Sequence, residues 1–294
     1  MAELSDMGYL EQPHTSAGRI PSEKGFRYYV ENLMPHVQPS DSEAMRILSR
    51  LDFNEGDRVR VLHEACEALS SVTGKAAIAT TPADDNATVK GIRLVPLETG
   101  VAMVVVMTSA GTYKNRLARV AADMDYTTAE LFCNACTSSF VGRRVSEITT
   151  ADVQSVAVSM GAETLVTAPL VVCMYDALRE TTETDIITDG KENLMKNPVL
   201  RQHAAELSEL LDDSALLSRV LKNRPKEGVA VRIGRENGVQ CLEDASVITT
   251  VYNTANGESG IIGVISPVKT DYSHLLPIVN FTGSAVTRIL HENK

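Results

Sequence analysis

The chain has 294 residues, 44% of them apolar, and 38 acidic against 28 basic side chains give a net charge of −10. That balance excludes a uniformly basic protein that coats nucleic acid, though not a small DNA-contacting module carried by acidic domains. Five cysteines scattered along the chain do not form a disulfide framework, and no apolar run is long enough to span a bilayer.

The first residues, MAELSDMGYLEQ, lack the basic and apolar regions of a secretory signal, so a cytoplasmic protein is expected. Met1–Met7 reads as the last turns of a helix stopped by Gly8. Tyr9–Glu11 and Arg19–Ile20 are predicted to pair as short strands around the turn QPHTSAG. Pro21 and Ser22 open a helix with Phe26, Tyr29, Val30, Leu33 and Met34 at helical spacing. After a proline-containing linker a helix hairpin is predicted, with Met45, Leu48 and Leu51 on one arm. The other arm carries Val61, Leu62, Ala65, Cys66 and Leu69 and closes at Gly74.

KAAIAT, VKGIRLVPL, VAMVVVMT and TYKNRLARV then read as strands of an antiparallel meander joined by short glycine turns. From 127 to about 222 the pattern is helical apart from DIIT, and strands return in VAVRIG, SVITTVYN and IIGVIS before a last helix. Strands, a helical block and strands again predict an α+β domain interrupted by a helical insert. The expected division is 1–36, a linker and helix hairpin over 37–74, a sheet domain over 75–124 with 226–294, and the insert over 125–225.

Few residues point to chemistry. The turn around Gly18 lacks the spacing of a phosphate-binding loop. His14 and Ser16 have no neighbouring carboxylate to orient the imidazole, so no catalytic residue is assigned. Cys133 and Cys136 form a C-x-x-C inside a predicted helix, without a second pair, and read as packed core thiols rather than a metal or redox site. The six histidines make no H-x-x-x-H or H-x-H pair, so neither metal nor cofactor is expected. A hairpin tip touching a sugar–phosphate backbone needs small polar donors, exposed N–H groups and an arginine, and HTSAGR supplies each. The local balance of Arg19, Lys24 and Arg27 against Glu11 and Glu23 is weakly basic, and on spacing alone a solvated turn with Arg19 paired locally stays open.

GYLEQPHTSAGRIPSEKGFRYYV, residues 8–30, resembles almost residue for residue the hallmark of the HrcA-type heat-inducible transcription repressors, with Ser22 where threonine is commoner. TDGKENLM at 188–195, VRIGREN at 231–237, and IIGVISP with DYS near the C-terminus resemble further segments of that family. The resemblance implies a partial winged-helix domain, a GAF-like sheet domain and a dimerisation domain inserted in it. It implies a homodimer that represses chaperone operons from an inverted-repeat operator and is kept active by the chaperonin, with no membrane association. His14, Thr15, Ser16, Gly18 and Arg19 would form the wing tip, with Lys24 and Arg27 behind them as further DNA contacts; a cap or a salt bridge within its helix is the equal alternative for Arg27.

Two departures stand out. The family's recognition helix precedes the hallmark, and here only its tail is expected before Gly8. Where the family has G-P-T-R-M, this chain has Ser266-Pro267-Val268-Lys269-Thr270, and lysine does not reproduce the planar fork of arginine. The rival expectation is a GAF-like small-molecule sensor in which the hairpin is only structural.

Overall fold

A computed structural model describes residues 1–12, 17–35, 37–53, 57–82, 86–98, 100–109, 111–120, 126–182, 184–221, 228–255 and 257–292. The fold is α+β, with antiparallel pairing in all its named strand pairs. It divides into two units, Met1–Pro82 with Asp185–Lys294, and Ala83–Thr184.

The first unit begins with α1 (Ala2–Asp6) and a short hairpin of β1 (Leu10–Glu11) and β2 (Ile20–Pro21). Helix α2 (Glu23–Tyr28) starts where the Ser22 hydroxyl accepts the Gly25 N–H, and it runs into a π-helical turn, Tyr29–Leu33. Ser40 and Glu43 form a capping box that opens α3 (Asp41–Leu48). Helix α4 (Arg58–Thr73) follows and ends at Gly74, with the expected stripe of Val61, Leu62, Ala65, Cys66 and Leu69 fully buried. Met45 departs from expectation: it is exposed, and Ile47 is the buried side chain of α3. At about 100° per residue the two point to nearly opposite sides of the helix.

These helices cover one face of a five-stranded sheet. Its strands are β3 (Ala76–Thr80), β7 (Ile186–Asp189), β8 (Val229–Ile233), β9 (Ala245–Asn253) and β10 (Ser259–Pro267), in the order β7-β3-β10-β9-β8. Ala77 and Ala79 face α4 and the C-terminal α11 (Tyr272–Glu292), together with Ile248, Ile262 and Val264. Ala76 and Ile78 face the other way, into leucines of α8 (Glu192–Lys196), α9 (Ala204–Asp212) and α10 (Ser214–Leu221). With both faces covered, β3 is buried at every position, which explains why it is short, small and unbroken in its apolarity.

The second unit is a three-stranded meander, β4 (Val89–Glu98), β5 (Val101–Thr108) and β6 (Tyr113–Arg119), in that order across the sheet. Helices α5 (Tyr126–Phe140), α6 (Thr150–Ser159) and α7 (Thr164–Glu180) complete it. Ile92, Val104, Val106 and Ala118 are buried with Phe132, Phe140, Leu170 and Met174. The strands alternate, so the opposite face is a separate surface. Register aligns Val95 with Met103 and Met103 with Leu117, and Met107 with Tyr113, on that opposite face. Tyr113 is 69% and Leu117 64% exposed there.

The division of the chain thus differs from the sequence expectation. The β3 strand leaves the meander for the larger sheet, β4–β6 pack with the helices that follow them, and residues 185–221 return to the first unit. Periodicity identifies each strand but carries no information about which sheet it joins. That choice rests on pairing with β10 and β7, far away in sequence.

Cys136 is buried in the second core, where loss of hydration pushes its thiol up to about 12, and Cys133 packs beside it half-buried. A thiol in that state is a packing group rather than a thiolate ligand. Replacing both with alanine is expected to lower stability by about 1–2 kcal/mol in urea unfolding. Stoichiometric zinc in the purified protein that disappears in the double variant would overturn this assignment.

Candidate nucleic-acid interface

The hairpin of β1 and β2 is held at its base by two register pairs, Leu10 with Pro21 and Glu11 with Ile20. The Gln12 side chain donates to the Ala17 carbonyl at 2.8 Å across the neck of the turn. His14, Thr15 and Ser16 lie outside the described residues. Gly18 and Arg19 are exposed, and Arg19 makes no ion pair or hydrogen bond among the described residues.

Behind the turn, the hairpin and α2 are tightly joined. Ser22 donates from its hydroxyl to Gly8 O at 2.6 Å and from its N–H to Tyr9 O at 3.0 Å. A Cβ at Gly25 would stand 2.2 Å from Tyr9 O, so this close approach of helix to strand requires glycine. Lys24 donates to Met7 O at 2.7 Å and lies 4.5 Å from the Tyr9 ring centroid. An ammonium placed over a ring and on a terminal carbonyl completes the end of α1.

Arg27 points away from the turn. Its Nε donates to Glu236 Oε1 at 2.9 Å, and one terminal nitrogen donates to Val231 O at 2.7 Å and to the other Glu236 oxygen. Glu31 stands 3.6 Å from the second terminal nitrogen. Lys24 and Arg27, expected as further backbone contacts, are therefore engaged within the fold. Both point at protein groups because α2 turns that side toward α1 and β8.

The same helix meets the rest of the first unit through two more contacts. Phe26 and Tyr272 have ring centroids 5.7 Å apart, and Tyr272 donates to Val268 O at 2.7 Å and shares a 2.6 Å hydrogen bond with Ser246. Burial pushes the Tyr272 phenol up to about 12, so it remains a donor at neutral pH. Gly234 has a φ of +56°, and a Cβ there would stand 2.2 Å from a Glu23 carboxylate oxygen. Asn237 fixes this turn by donating to the carbonyls of Gly234, Leu242 and Ala245. The Glu236 carboxylate also accepts the Ile233 N–H at 2.8 Å.

Three of the four sequence motifs thus converge on α2: the hallmark itself, VRIGREN and the DYS segment. The fourth, TDGKENLM, lies elsewhere in the unit, where Asn193 donates to Ser70 Oγ and to Lys75 O and ties α8 to the α4–β3 junction. Glu236 and Tyr272 were visible as motif residues, but nothing local signals that they meet residues so far upstream, 209 positions in the case of Glu236. Within the described residues, no helix is long and apolar enough to cross a membrane.

Residues 59–276 match the family model described as the HrcA protein C terminal domain. The "Heat-inducible transcription repressor HrcA" of Acetivibrio thermocellus is 32% identical over 288 residues, covering 97% of this chain and 82% of that protein. The repressor of the same name from Thermoanaerobacter pseudethanolicus is 30% identical over 295 residues, covering 99% and 84%. Among solved structures, one described as a crystal structure of a hypothetical protein superimposes with a TM-score of 0.61 at 23% identity. It covers 100% of this chain and 86% of that one, a likeness of fold.

Proposed function

The chain belongs to the HrcA family of heat-inducible transcription repressors, and from that premise we propose that it represses chaperone operons by binding an inverted-repeat operator as a dimer. In this reading the α1–α2 segment is part of a winged helix, the five-stranded unit is a GAF-like domain, and the intervening unit is the dimerisation domain. The chaperonin keeps the dimer active until heat-unfolded clients occupy it.

The observation that carries the DNA contact is the mount of the hairpin. Its base is tied to α1 and α2 on several sides, yet the turn carries Arg19 without an ion pair among the described residues. An exposed arginine held so suits a phosphate. His14, Thr15, Ser16 and Gly18 complete the proposed tip. Such contacts set register on the duplex, whereas base discrimination in a winged helix comes mainly from its recognition helix.

Arg19→Ala is expected to weaken operator and scrambled duplex alike and to reduce the salt slope by about one unit. Salt titrations of both duplexes against the parent and the variant check this. A change of base preference at an unchanged slope would make Arg19 a base reader instead.

The dimer reading is supported by the open face of the meander. Monomers rarely expose a contiguous apolar row of this kind, and a two-fold operator calls for a two-fold protein. Val95, Met103 and Leu117 form one apolar row and Met107 with Tyr113 an apolar pair, and the row between them pairs Val105 with the polar Arg93 and Asn115.

A further inference from the structure

We propose that Glu236 is a positioning residue for the DNA-contacting hairpin, acting through Arg27 as a latch between α2 and the turn after β8; the proposal rests on the DNA reading of that hairpin. None of the described residues 1–35 is buried, although the sheet beside them is buried throughout its centre. Phe26, Tyr29, Val30 and Met34 pack against the core of the sheet only half-buried, and a segment held by partly buried side chains opens locally at lower cost than the core does. Its polar contacts with the sheet side lie on one side of α2, the Arg27 fork on Glu236 and Val231 O and the Glu23 carboxylate against Gly234, beside the Phe26 ring against Tyr272.

The Arg27–Glu236 pair is the directional part of this set. A planar guanidinium engaging both oxygens of a carboxylate fixes orientation as well as distance, which neither an aromatic contact nor a close approach does. Glu236 is fixed in turn, since its carboxylate also accepts the Ile233 N–H and its neighbour Asn237 is tied to three carbonyls. The hairpin follows rigidly, because Ser22 and Gly25 join α2 to Gly8 and Tyr9. The orientation of Arg19 is therefore set from the sheet side, through a carboxylate that touches no DNA.

This makes a counter-intuitive expectation. Removing an acidic side chain near a DNA-contacting surface ordinarily strengthens binding, by lessening repulsion from phosphates. Glu236→Gln is expected to do the opposite and weaken duplex binding roughly tenfold, with the salt slope unchanged. In the free protein, amides of residues 20–33 should exchange faster with solvent, while those of β9 and β10 keep their protection. Arg27→Met should reproduce both effects, again without losing a unit of slope. The swap Arg27→Glu with Glu236→Arg should restore part of the affinity and of the slow exchange, since it remakes the pair but loses the bonds to Val231 O and the Ile233 N–H. Two independent local losses would add instead.

The experiment is hydrogen exchange by mass spectrometry on the free chain and its variants, with duplex titrations at several salt concentrations. Unchanged exchange over 20–33 in Glu236→Gln overturns the latch. Faster exchange with equal or tighter DNA binding overturns the positioning role. A slope that falls by about one in Arg27→Met makes Arg27 a phosphate contact and also overturns it. If the parent chain binds no duplex, the DNA reading fails, and the proposal fails with it even when exchange shows the latch.

Discussion

Leu117→Glu is expected to convert the proposed dimer into monomers and to abolish repression. Leu117 lies at the end of the Val95–Met103–Leu117 row on the open face of the meander, and it is 64% exposed in the single chain. Across a two-fold axis one substitution buries two carboxylates. At about 2 kcal/mol for each polar group buried without a partner, the dimer loses about 4 kcal/mol, or roughly a thousandfold in dissociation constant. Val158→Glu is the control, since Val158 on α6 is 74% exposed on the helical side of the same unit. Sedimentation velocity at micromolar concentration should show monomers for Leu117→Glu and a parental profile for Val158→Glu. The reverse result would move the interface to the helices and refute the open-face assignment.

Arg58→Ala should produce the largest loss of stability among the ion pairs of the described residues, since its partner Glu258 is the most buried charged side chain among them. Arg58 is the first residue of α4 and lies 2.5 Å from Glu258, which precedes β10. The Glu258 side chain is 4% exposed, and its other described hydrogen bond is from the Thr254 hydroxyl at 3.3 Å. Truncating the arginine leaves a buried carboxylate without its counter-charge, at a cost of about 3 kcal/mol, the low end for a buried pair because the arginine itself is partly hydrated. For a unit of this size that corresponds to a melting point lower by roughly 6–12 °C. Glu258→Gln should cost less, since it leaves no charge buried and Arg58 can turn to solvent. Calorimetry checks the order of the two variants. Equal stability of Arg58→Ala and the parent would mean that water reaches Glu258 freely.

Dimerisation was expected from the helical block 125–225, and the apolar row proposed above lies on strands between 89 and 119 of the unit that also holds the first helices of that block. Those strands and the helices after them form one unit, and the alternation of β5 records two faces equally well whether the outer one meets solvent or a partner. An alternating strand with valine and methionine on its outer face was the available signal, and it reads the same in an ordinary two-faced core.

The elements themselves were legible because their signals are local. Ser22 and the stop at Gly74 act through hydrogen bonds and backbone preferences within a few residues, so the sequence places those helix ends directly. The family was legible for a related reason: the hallmark is a contiguous string, and its residues are needed together where hairpin and helix touch at Ser22 and Gly25. The assignment of β3 to the larger sheet, the uncovered face of the meander and the meeting of Arg27 with Glu236 belong to another order of information. Each depends on pairing between segments far apart in the chain. Many such pairings are compatible with the same pattern of apolar and polar residues, and the competition among them is settled only when the whole core is packed at once.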